Sequence, residues 1–339
     1  MTNTSISNLF IIGAGFTRAV FPAAPLNNDL LCQVIGSKDN STVGRVWAAY
    51  GSTESNIEVL LTRFDLDLMT NNGRLMIKND LFQKADRDAI SREIAEFVNR
   101  FRFEKDVEWL HPFLDQTLSN KDVIISLNYD CFLEGFLDSR EAWSPNGGYG
   151  VIQNAGNGLD DSPLDNPRGI QILKIHGSES FRLVRFQNEP ESMSVGAIIN
   201  EQLFPRSGKN KHFKYIGEVG PYVIAPSFLK QLIVDLQFLL VDAIRCAESA
   251  KNLIIIGCGL RPEDNHLWLV VSSFMNSEEL EKKRILIVSP NASGTKEKIK
   301  KFWARKTWGR KARIEEKVIA IDADFESGLP RLNNALRQP

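Results

Sequence analysis

The sequence predicts an α/β fold built on a parallel β-sheet with helices on both faces. Short apolar, β-rich runs recur along the chain, and the segments between them carry apolar residues at helical spacing. The first run, residues 9–12 (LFII), leads directly into Gly13-Ala14-Gly15, and three later runs also end in glycine or in polar residues. Continuous apolar strands that alternate with helices are typical of a parallel sheet covered on both faces.

Composition limits the class of protein. The chain has 339 residues, of which 43% are hydrophobic and 24% charged, and its formal net charge is −1. This allows one large or two ordinary domains, and it gives no global indication of a nucleic-acid or membrane partner. The first ten residues lack a basic stretch followed by an apolar core, and no later run reaches the ~20 apolar residues of a membrane span. We therefore expect a cytoplasmic protein.

The cysteines are scattered along the chain. They are Cys32, Cys131, Cys246 and Cys258, with no C-x-x-C pair among them. This spacing predicts neither a disulfide framework nor a zinc ribbon, and we expect these residues to be thiols in the protein core.

The turn after the first strand has the features of a phosphate-binding loop. Gly13 and Gly15 lack the Cβ atom that would keep a diphosphate away from the backbone. A helix is predicted from Phe16 onward, and the free N–H groups and dipole of its N-terminus favour an anion. A tight strand-to-helix turn does not in itself require a ligand, so this motif leaves nucleotide binding open.

A helical insertion is predicted between the first and second strands. Apolar residues have helical spacing over residues 56–69, 88–101 and 107–118. More than a hundred residues separate the two strands, far more than the dozen or so of a minimal crossover. A further helix is expected to begin within residues 25–31, with Asn28 or Asp29 as its cap.

The second and third strands both end in residues that can carry chemistry. Residues 121–127 form an apolar run that stops at Asn128-Tyr129-Asp130, and residues 170–175 form one that stops at His176. Ligands of open α/β sheets bind at the carboxyl edge of the strands, and histidine is suited to proton transfer near neutral pH. Asn128 and Asp130 are therefore candidate site residues, although they could instead cap the helix that follows.

The other histidines are not predicted to belong to a site. His111 and His212 do not follow a strand, and His266 lies further from one, on an apparent helix. We expect His266 to be a packing residue.

The remaining segments complete the sheet and its connections. Residues 144–169 are predicted to be a loop, residues 179–220 a small subdomain, and residues 228–250 a long helix. Further strands are predicted at residues 222–225, 252–256, 285–289 and 318–321. The second of these leads into another glycine turn, Gly257-Cys258-Gly259.

A basic and aromatic segment lies between the last two strands. Residues 296–313 contain nine Lys or Arg together with Phe302, Trp303 and Trp308. Such a pattern could bind nucleic acid or a partner. A surface helix with a charged outer face and buried aromatic residues also explains it, and we favour that interpretation.

Four motifs at strand ends, GAGFT, SLNYD, KIHGS and IIIGCGL, occur in this order. Together they resemble the sirtuin family, and more closely its bacterial sirtuin-like branch of NAD-cleaving domains found in antiphage defence systems. The resemblance implies a single domain with a Rossmann-like core. Its core would comprise residues 1–25, 119–178 and 221–330, with a helical insertion at 26–118 and a small insertion at 179–220.

The resemblance also implies roles for individual residues. His176 would be the catalytic base, and Asn128 and Asp130 would contact the nicotinamide ribose. The remaining cofactor-binding positions implied by the family are Gly13, Ala14, Gly15, Phe16 and Thr17 at the diphosphate and nearby ribose, and Gly257, Cys258 and Gly259 at the adenosine ribose. NAD+ would be the substrate, and no metal is implied.

Departures from the family pattern argue against some of the activities that the resemblance would allow. Residues 179–220 contain no cysteine, whereas deacylases of the family carry a four-cysteine zinc module there. Arg18 replaces the third glycine of the dehydrogenase fingerprint, which argues against hydride transfer. The prediction is therefore an NAD+ glycohydrolase that acts as the NAD-depleting effector of a defence system. The alternatives are an NAD- or ADP-ribose-sensing module without turnover, and ADP-ribosyl transfer or deacylation.

The same resemblance suggests how the activity would be controlled. The expected partners are further copies of the chain or a separate sensor or ATPase protein, with the basic segment as one possible contact. Nucleic acid would act only indirectly, and no membrane is involved.

Overall fold

A computed structural model describes residues 6–77, 80–150, 153–154, 166–186, 189–208, 221–228, 236–262, 264–276, 280–306 and 314–338. Its centre is a six-stranded parallel sheet. The strands are β1 (Asn8–Ile12), β4 (Val123–Ser126), β6 (Gln171–Lys174), β11 (Asn252–Ile256), β12 (Arg284–Ser289) and β13 (Val318–Asp322). With helices packed around this sheet, the predicted α/β, Rossmann-like fold is confirmed.

The strand order creates a crevice next to β1. The order is β13-β12-β11-β1-β4-β6, so the chain runs from β1 to β4 and β6 on one side and then crosses to β11 on the other. The connections that follow β1 and β11 leave in opposite directions, so neither covers the space between the carboxyl ends of these two strands. Open α/β sheets bind ligands at such a point. The end of β1 and the end of β11 meet there.

The apolar runs form strands because both of their faces are buried. Leu9, Phe10 and Ile11 of β1 are completely buried, as are Ile254 and Ile255 of the neighbouring β11. Burying a side chain of this size contributes about 1.5–3 kcal/mol. This explains why uninterrupted apolar runs, rather than alternating ones, marked the sheet.

Helices and short elements fill the connections. The helices outside the insertion are α1 (Ala14–Val20), α6 (Phe132–Ser139), α7 (Pro145–Gly148), α8 (Gln237–Ser249), α9 (Asn265–Met275), α10 (Ala292–Lys306), α11 (Ile314–Lys317) and α12 (Phe325–Arg337). The short strands outside the insertion are β5 (Gln153–Asn154), β7 (Gly177–Ser178), β8 (Phe181–Phe186), β9 (Glu189–Ala197) and β10 (Tyr222–Val223). Among the described residues, no helix is both long and apolar enough to cross a lipid bilayer.

The helical insertion has its own hydrophobic cluster. It contains α2 (Asn27–Gly36), α3 (Thr42–Ala49), α4 (Ile57–Thr70) and α5 (Lys84–Val98), together with a hairpin of β2 (Arg74–Ile77) and β3 (Asp80–Gln83). The sequence did not predict this hairpin. The helix expected over residues 107–118 is present as a continuous helical segment of mixed type, which begins with a 3₁₀ turn (Glu108–Leu110) and ends with a π-helical turn (Phe113–Thr117).

Two local predictions were wrong. Helix α2 begins at Asn27 after Leu26, without a side-chain cap, and Asp29 forms an ion pair with Arg18 at 2.8 Å instead of capping the helix. Residues 222–225 do not add a strand to the central sheet, because Tyr222 and Val223 pair antiparallel with Ser178 and Gly177. A short apolar run indicates a strand but not its partner.

The basic segment is described up to Lys306 and forms most of α10. Trp303 is buried, and Phe302 packs against Trp268 with 4.6 Å between ring centroids, as in a surface helix that buries its aromatic residues. Trp308 and the rest of the segment lie outside the described residues, as do His212 and half of the loop predicted over 144–169.

All four cysteines are free thiols. Cys131 and Cys258 are buried and Cys246 is partly buried, but Cys32 is exposed, so the expectation of core thiols was wrong at Cys32. Cys32 lies on α2 of the insertion, on the side that faces solvent.

Candidate active site

A cavity of about 370 Å³ lies at the carboxyl ends of β1, β4, β6 and β11. Most of the predicted site residues line it, and these are Gly13, Ala14, Thr17, Asn128, Asp130, His176, Gly257, Cys258 and Gly259. The insertion covers one side of the cavity with apolar residues that include Leu30, Val98 and Phe101. Fold and insertion thus bring together residues that are more than two hundred positions apart in the chain.

The two glycine turns pack directly against each other. Gly13 donates its N–H to the Ile256 carbonyl and Gly15 donates to the Gly257 carbonyl, both at 3.0 Å. A Cβ at Gly13 would lie 2.8 Å from the Gly257 oxygen, and one at Gly15 would lie 2.7 Å from the Gly257 Cα. The neighbouring backbone of Gly257 therefore requires small residues at positions 13 and 15. From sequence, the expected reason was the approach of a diphosphate to the backbone.

Gly257 is the most constrained position of this contact. Its φ is +59°, and a Cβ there would lie 2.4 Å from the Phe16 nitrogen. We expect Gly257→Ala to lower the free energy of unfolding by at least about 2 kcal/mol in chemical denaturation, because strain and collision add. Gly259→Ala is the matched control, since an added Cβ meets nothing within 4 Å. Equal stability of the two variants would contradict this packing.

Two of the predicted cofactor-binding residues, Gly15 and Phe16, do not line the cavity. The Phe16 ring lies in the core, with its centroid 5.2 Å from that of Phe325 and 6.0 Å from that of Phe113. Its N–H is donated to the Gly13 carbonyl at 2.9 Å. Phe16 therefore fixes the start of α1 by packing into the core, while Ala14 and Thr17 line the cavity.

Asn128, Thr17 and Asp130 form a chain of hydrogen bonds. The Asn128 amide nitrogen donates to the Thr17 hydroxyl at 2.9 Å and to the Gly13 carbonyl at 3.2 Å. The Thr17 hydroxyl in turn donates to an Asp130 carboxylate oxygen at 2.9 Å. Because both amide hydrogens of Asn128 are used in this way, its amide oxygen is the atom suited to accept a hydrogen bond from a ligand.

Asp130 has the helix-capping role considered from sequence as well as its place in the cavity. Its second carboxylate oxygen accepts the Phe132 N–H at 3.2 Å, at the start of α6. Burial raises the pKa of Asp130 from 3.8 to about 6, although the positive charge of Lys174 opposes this shift. Asp130 therefore titrates in the range where a proton-transfer site operates.

A buried ion pair between Lys174 and Glu134 contacts the backbone of Asp130. Lys174 and Glu134 are 2.8 Å apart and almost fully buried, and the Lys174 ammonium also donates to the Asp130 carbonyl at 2.5 Å. Burial alone would lower the pKa of Lys174, but the negative charge of Glu134 raises it, so the lysine stays charged. A fixed buried cation of this kind holds the Asn128–Asp130 loop against the end of β6.

The raised pKa of Asp130 has a definite consequence for stability. Folding favours the protonated carboxyl up to about pH 6, whereas an unfolded aspartate loses its proton near pH 3.9. This contribution is therefore complete below about pH 4 and is lost as the pH rises through 6. Relative to wild type, we expect Asp130→Asn to gain at most about 1.4 kcal/mol of unfolding free energy per pH unit across that interval.

Urea denaturation at a series of pH values checks this expectation. Asp106→Asn is the matched control, because hydrogen bonds from His111 and Arg140 lower the pKa of Asp106. Its stability relative to wild type should stay nearly constant from pH 4 to 6, because the contribution of an aspartate with a lowered pKa changes only below about pH 4. A difference between Asp130→Asn and wild type that stays constant from pH 4 to 6 would contradict the assignment.

His176 forms a close pair with His266. Their Nε2 atoms are 2.8 Å apart, and both residues are buried, with 7% and 5% exposure. The expectation that His266 only packs was wrong: α9 places His266 on its second residue, immediately after the loop that follows the second glycine turn. The sequence signal that could have indicated a role for His266 is that Asp264 and His266 lie two positions apart shortly after that turn.

The sequence also missed a charged cluster on the cavity wall. Arg261 forms ion pairs with both Glu58 and Asp264, and all three residues line the cavity. Arg261 and Asp264 directly follow the second glycine turn and could have been considered. Glu58 could not, because it comes from α4 of the insertion, and only the fold brings it to the site.

Within the part of the chain that the structure describes, no group of three or more His, Cys, Asp or Glu is arranged to hold a metal ion. His111, which the sequence excluded, pairs with Asp106 at 2.9 Å and does not line the cavity.

Comparison with known families identifies the class. Residues 122–308 match the family model of the SIR2-like domain, which is more than half of the chain. The protein therefore belongs to the SIR2-like domain family. The matched range includes Asn128, His176 and the second glycine turn, but not the first.

Solved structures of Sir2 homologues are similar at low identity. One mutant bound to ADP-ribose shares 11% identity, covers 99% of this chain and 94% of its own, and has a TM-score of 0.43. A second mutant bound to ADP-ribose shares 10% identity with the same coverage and a TM-score of 0.41. A Sir2 homolog–NAD complex shares 11% identity, covers 99% and 91%, and has a TM-score of 0.39. No curated protein matches the chain significantly.

Proposed function

We propose that the protein is an NAD+ glycohydrolase, which cleaves NAD+ with water to nicotinamide and ADP-ribose. The observation that carries this proposal is that Asn128, Asp130 and His176 line one cavity together with two glycine turns. The cavity lies at the point where strand connections diverge, which is where α/β sheets bind nucleotides. Membership of the SIR2-like domain family is consistent with such a substrate.

The chemistry suits these residues. The bond that breaks joins the nicotinamide ring nitrogen to the ribose, and its electron pair goes to the positively charged ring, so nicotinamide leaves neutral without a strong acid. Positive charge develops on the ribose carbon, and the buried carboxylate of an ionised Asp130 stabilises it. Water then forms the new bond to that carbon, and its proton passes to His176.

Asn128 is proposed to orient the reacting groups. Hydrogen bonds to Gly13 and Thr17 fix its amide, which leaves the amide oxygen to accept from the attacking water or from a ribose hydroxyl. Holding a nucleophile in place converts an encounter in solution into a step within one complex, which lowers the barrier substantially.

Hydrolysis is preferred over peptide deacylation because of the insertion at residues 179–220. This segment contains no cysteine, and its described part includes the β8–β9 hairpin. The second candidate function is a module that binds NAD+ or ADP-ribose and regulates a partner without turnover. It shares the glycine turns, so only the chemistry at Asn128 and His176 separates the two functions. ADP-ribosyl transfer is a third candidate.

The biological role follows from the activity and from the resemblance of the motifs. In this proposal the enzyme depletes NAD+ as the effector of an antiphage defence system, under the control of self-assembly or of a separate sensor or ATPase protein. The activity itself requires only the chain and NAD+, so it can be tested independently of the role.

Product analysis tests the proposal. Purified protein is incubated with NAD+ in ¹⁸O-labelled water, alone and with candidate partners, and the products are separated by chromatography. We expect equal amounts of nicotinamide and free ADP-ribose, with the label on the ribose. NAD+ binding without any product supports the sensing module, and ADP-ribose recovered on protein supports transfer.

A further inference from the structure

We propose that His266 is a positioning residue that shares a proton with His176, so that the two imidazoles act as one unit. The inference rests on the proposed hydrolysis for its catalytic meaning, but the pair itself is a property of the protein without substrate. From its place on an apparent helix, His266 was expected only to pack.

The distance between the two rings requires a hydrogen bond. Their Nε2 atoms are 2.8 Å apart, with the ring planes inclined at 68°. Two neutral nitrogens this close repel each other if both carry a hydrogen or if neither does. One hydrogen must therefore lie between them, so one ring donates through Nε2 and the other accepts.

Each ring is held by a different part of the fold. His176 follows β6, and its carbonyl accepts the Ile224 N–H at 2.8 Å, next to the paired strands β7 and β10. His266 lies in the first turn of α9, and Asp264 just before it binds Arg261. Both side chains are at least nine-tenths buried. The contact therefore joins two rigid elements and does not depend on a surface rotamer.

This arrangement changes what His176 can do. For His176 to take the proton of the attacking water at Nδ1, His176 must donate through Nε2 and His266 must accept. The ring of His176 then becomes an imidazolium, and the hydrogen between the Nε2 atoms allows His266 to share the charge. Hydrogen bonds that involve a charged group are roughly twice as strong as neutral ones. His266 thereby stabilises the protonated base at a position where both side chains are buried. The only atom transferred to the histidine pair in this step is the proton that moves from the attacking water to His176.

Nitrogen NMR of the imidazoles tests the pair directly. The chain has only four histidines, so ¹⁵N-histidine labelling gives a spectrum that single substitutions can assign. We expect complementary tautomers for His176 and His266 at pH 7 and a scalar coupling across the shared hydrogen. The signals of His176 should move in His266→Gln and stay unchanged in His111→Gln. The same tautomer on both rings without coupling would overturn the proposal.

Kinetics tests the catalytic meaning. We expect His266→Phe, which keeps a ring of similar size, to lower the rate of nicotinamide release roughly 10- to 100-fold with NAD+ affinity unchanged. His266→Gln, whose amide oxygen can accept from His176, should recover a large part of that loss. If the NMR coupling is present and His266→Phe reacts at the wild-type rate, the proposed role is wrong.

The two kinds of failure can be told apart. A wild-type protein that binds NAD+ and never releases nicotinamide refutes the proposed hydrolysis, and the catalytic role of His266 with it, while the N–H···N bond remains measurable by NMR. If His266→Phe does not fold, the NMR of wild type and His266→Gln, together with the rate of His266→Gln relative to His266→Ala, still decides the question.

Discussion

Nicotinamide release by His176→Ala is expected to fall by about 10²–10⁴ relative to wild type, because general-base assistance contributes on that order. The fold should survive, since the hydrogen bond between His176 and Ile224, which follows β10, uses the backbone carbonyl of His176. The measurement is the initial rate of nicotinamide release at saturating NAD+, with circular dichroism and calorimetric NAD+ binding on the same sample.

His111→Ala is the matched control for this loss. It removes an imidazole that is paired with Asp106 outside the cavity, and its rate should equal that of wild type. A folded His176→Ala protein that binds NAD+ and releases nicotinamide at more than a tenth of the wild-type rate would refute the role of His176 as base.

Asn128→Ala should be the next most damaging substitution, with a loss of at least about 100-fold in the rate, since small errors in positioning are costly. The amide oxygen of Asn128 orients the nucleophile, and its amide nitrogen connects the end of β4 to the first glycine turn through hydrogen bonds to Gly13 and Thr17. Both functions disappear in alanine, whereas binding of the diphosphate end of NAD+ should largely persist. Rate and affinity measured together check this separation.

Thr17→Val distinguishes the two contributions of Asn128. Valine keeps the shape of threonine but removes the hydroxyl that accepts from Asn128 and donates to Asp130. The amide remains bound to the Gly13 carbonyl, so we expect a loss smaller than that of Asn128→Ala. If Thr17→Val is as slow as Asn128→Ala, the amide acts mainly as a structural tie and not on the reacting groups.

The sequence predicted the sheet well because the strands are buried on both faces. Uninterrupted apolar runs such as residues 252–256 favour the interior of a covered parallel sheet, and this strand was placed to the residue. Polar residues after such runs must lie at the carboxyl edge, so Asn128, Asp130 and His176 could be brought to one site without coordinates. The expected division of the chain into core and insertions stays a prediction.

The rest depends on contacts between distant segments. Glu58 and His266 were missed because only the packing of the whole fold brings α4 to the cavity and α9 to His176. Gly13 and Gly15 were assigned to nucleotide approach, while the structure shows that their first requirement is the Gly257 backbone. A single sequence indicates that a residue must be small, but not which neighbour requires it.

The crystal structure of His176→Ala with NAD+ bound tests the central claim most directly. We predict density for an intact NAD+ whose diphosphate lies over Ala14 and Thr17 and whose nicotinamide ribose lies between Asn128 and position 176. Density for NAD+ elsewhere on the protein, or a nicotinamide ribose that Asn128 does not contact, would contradict the account.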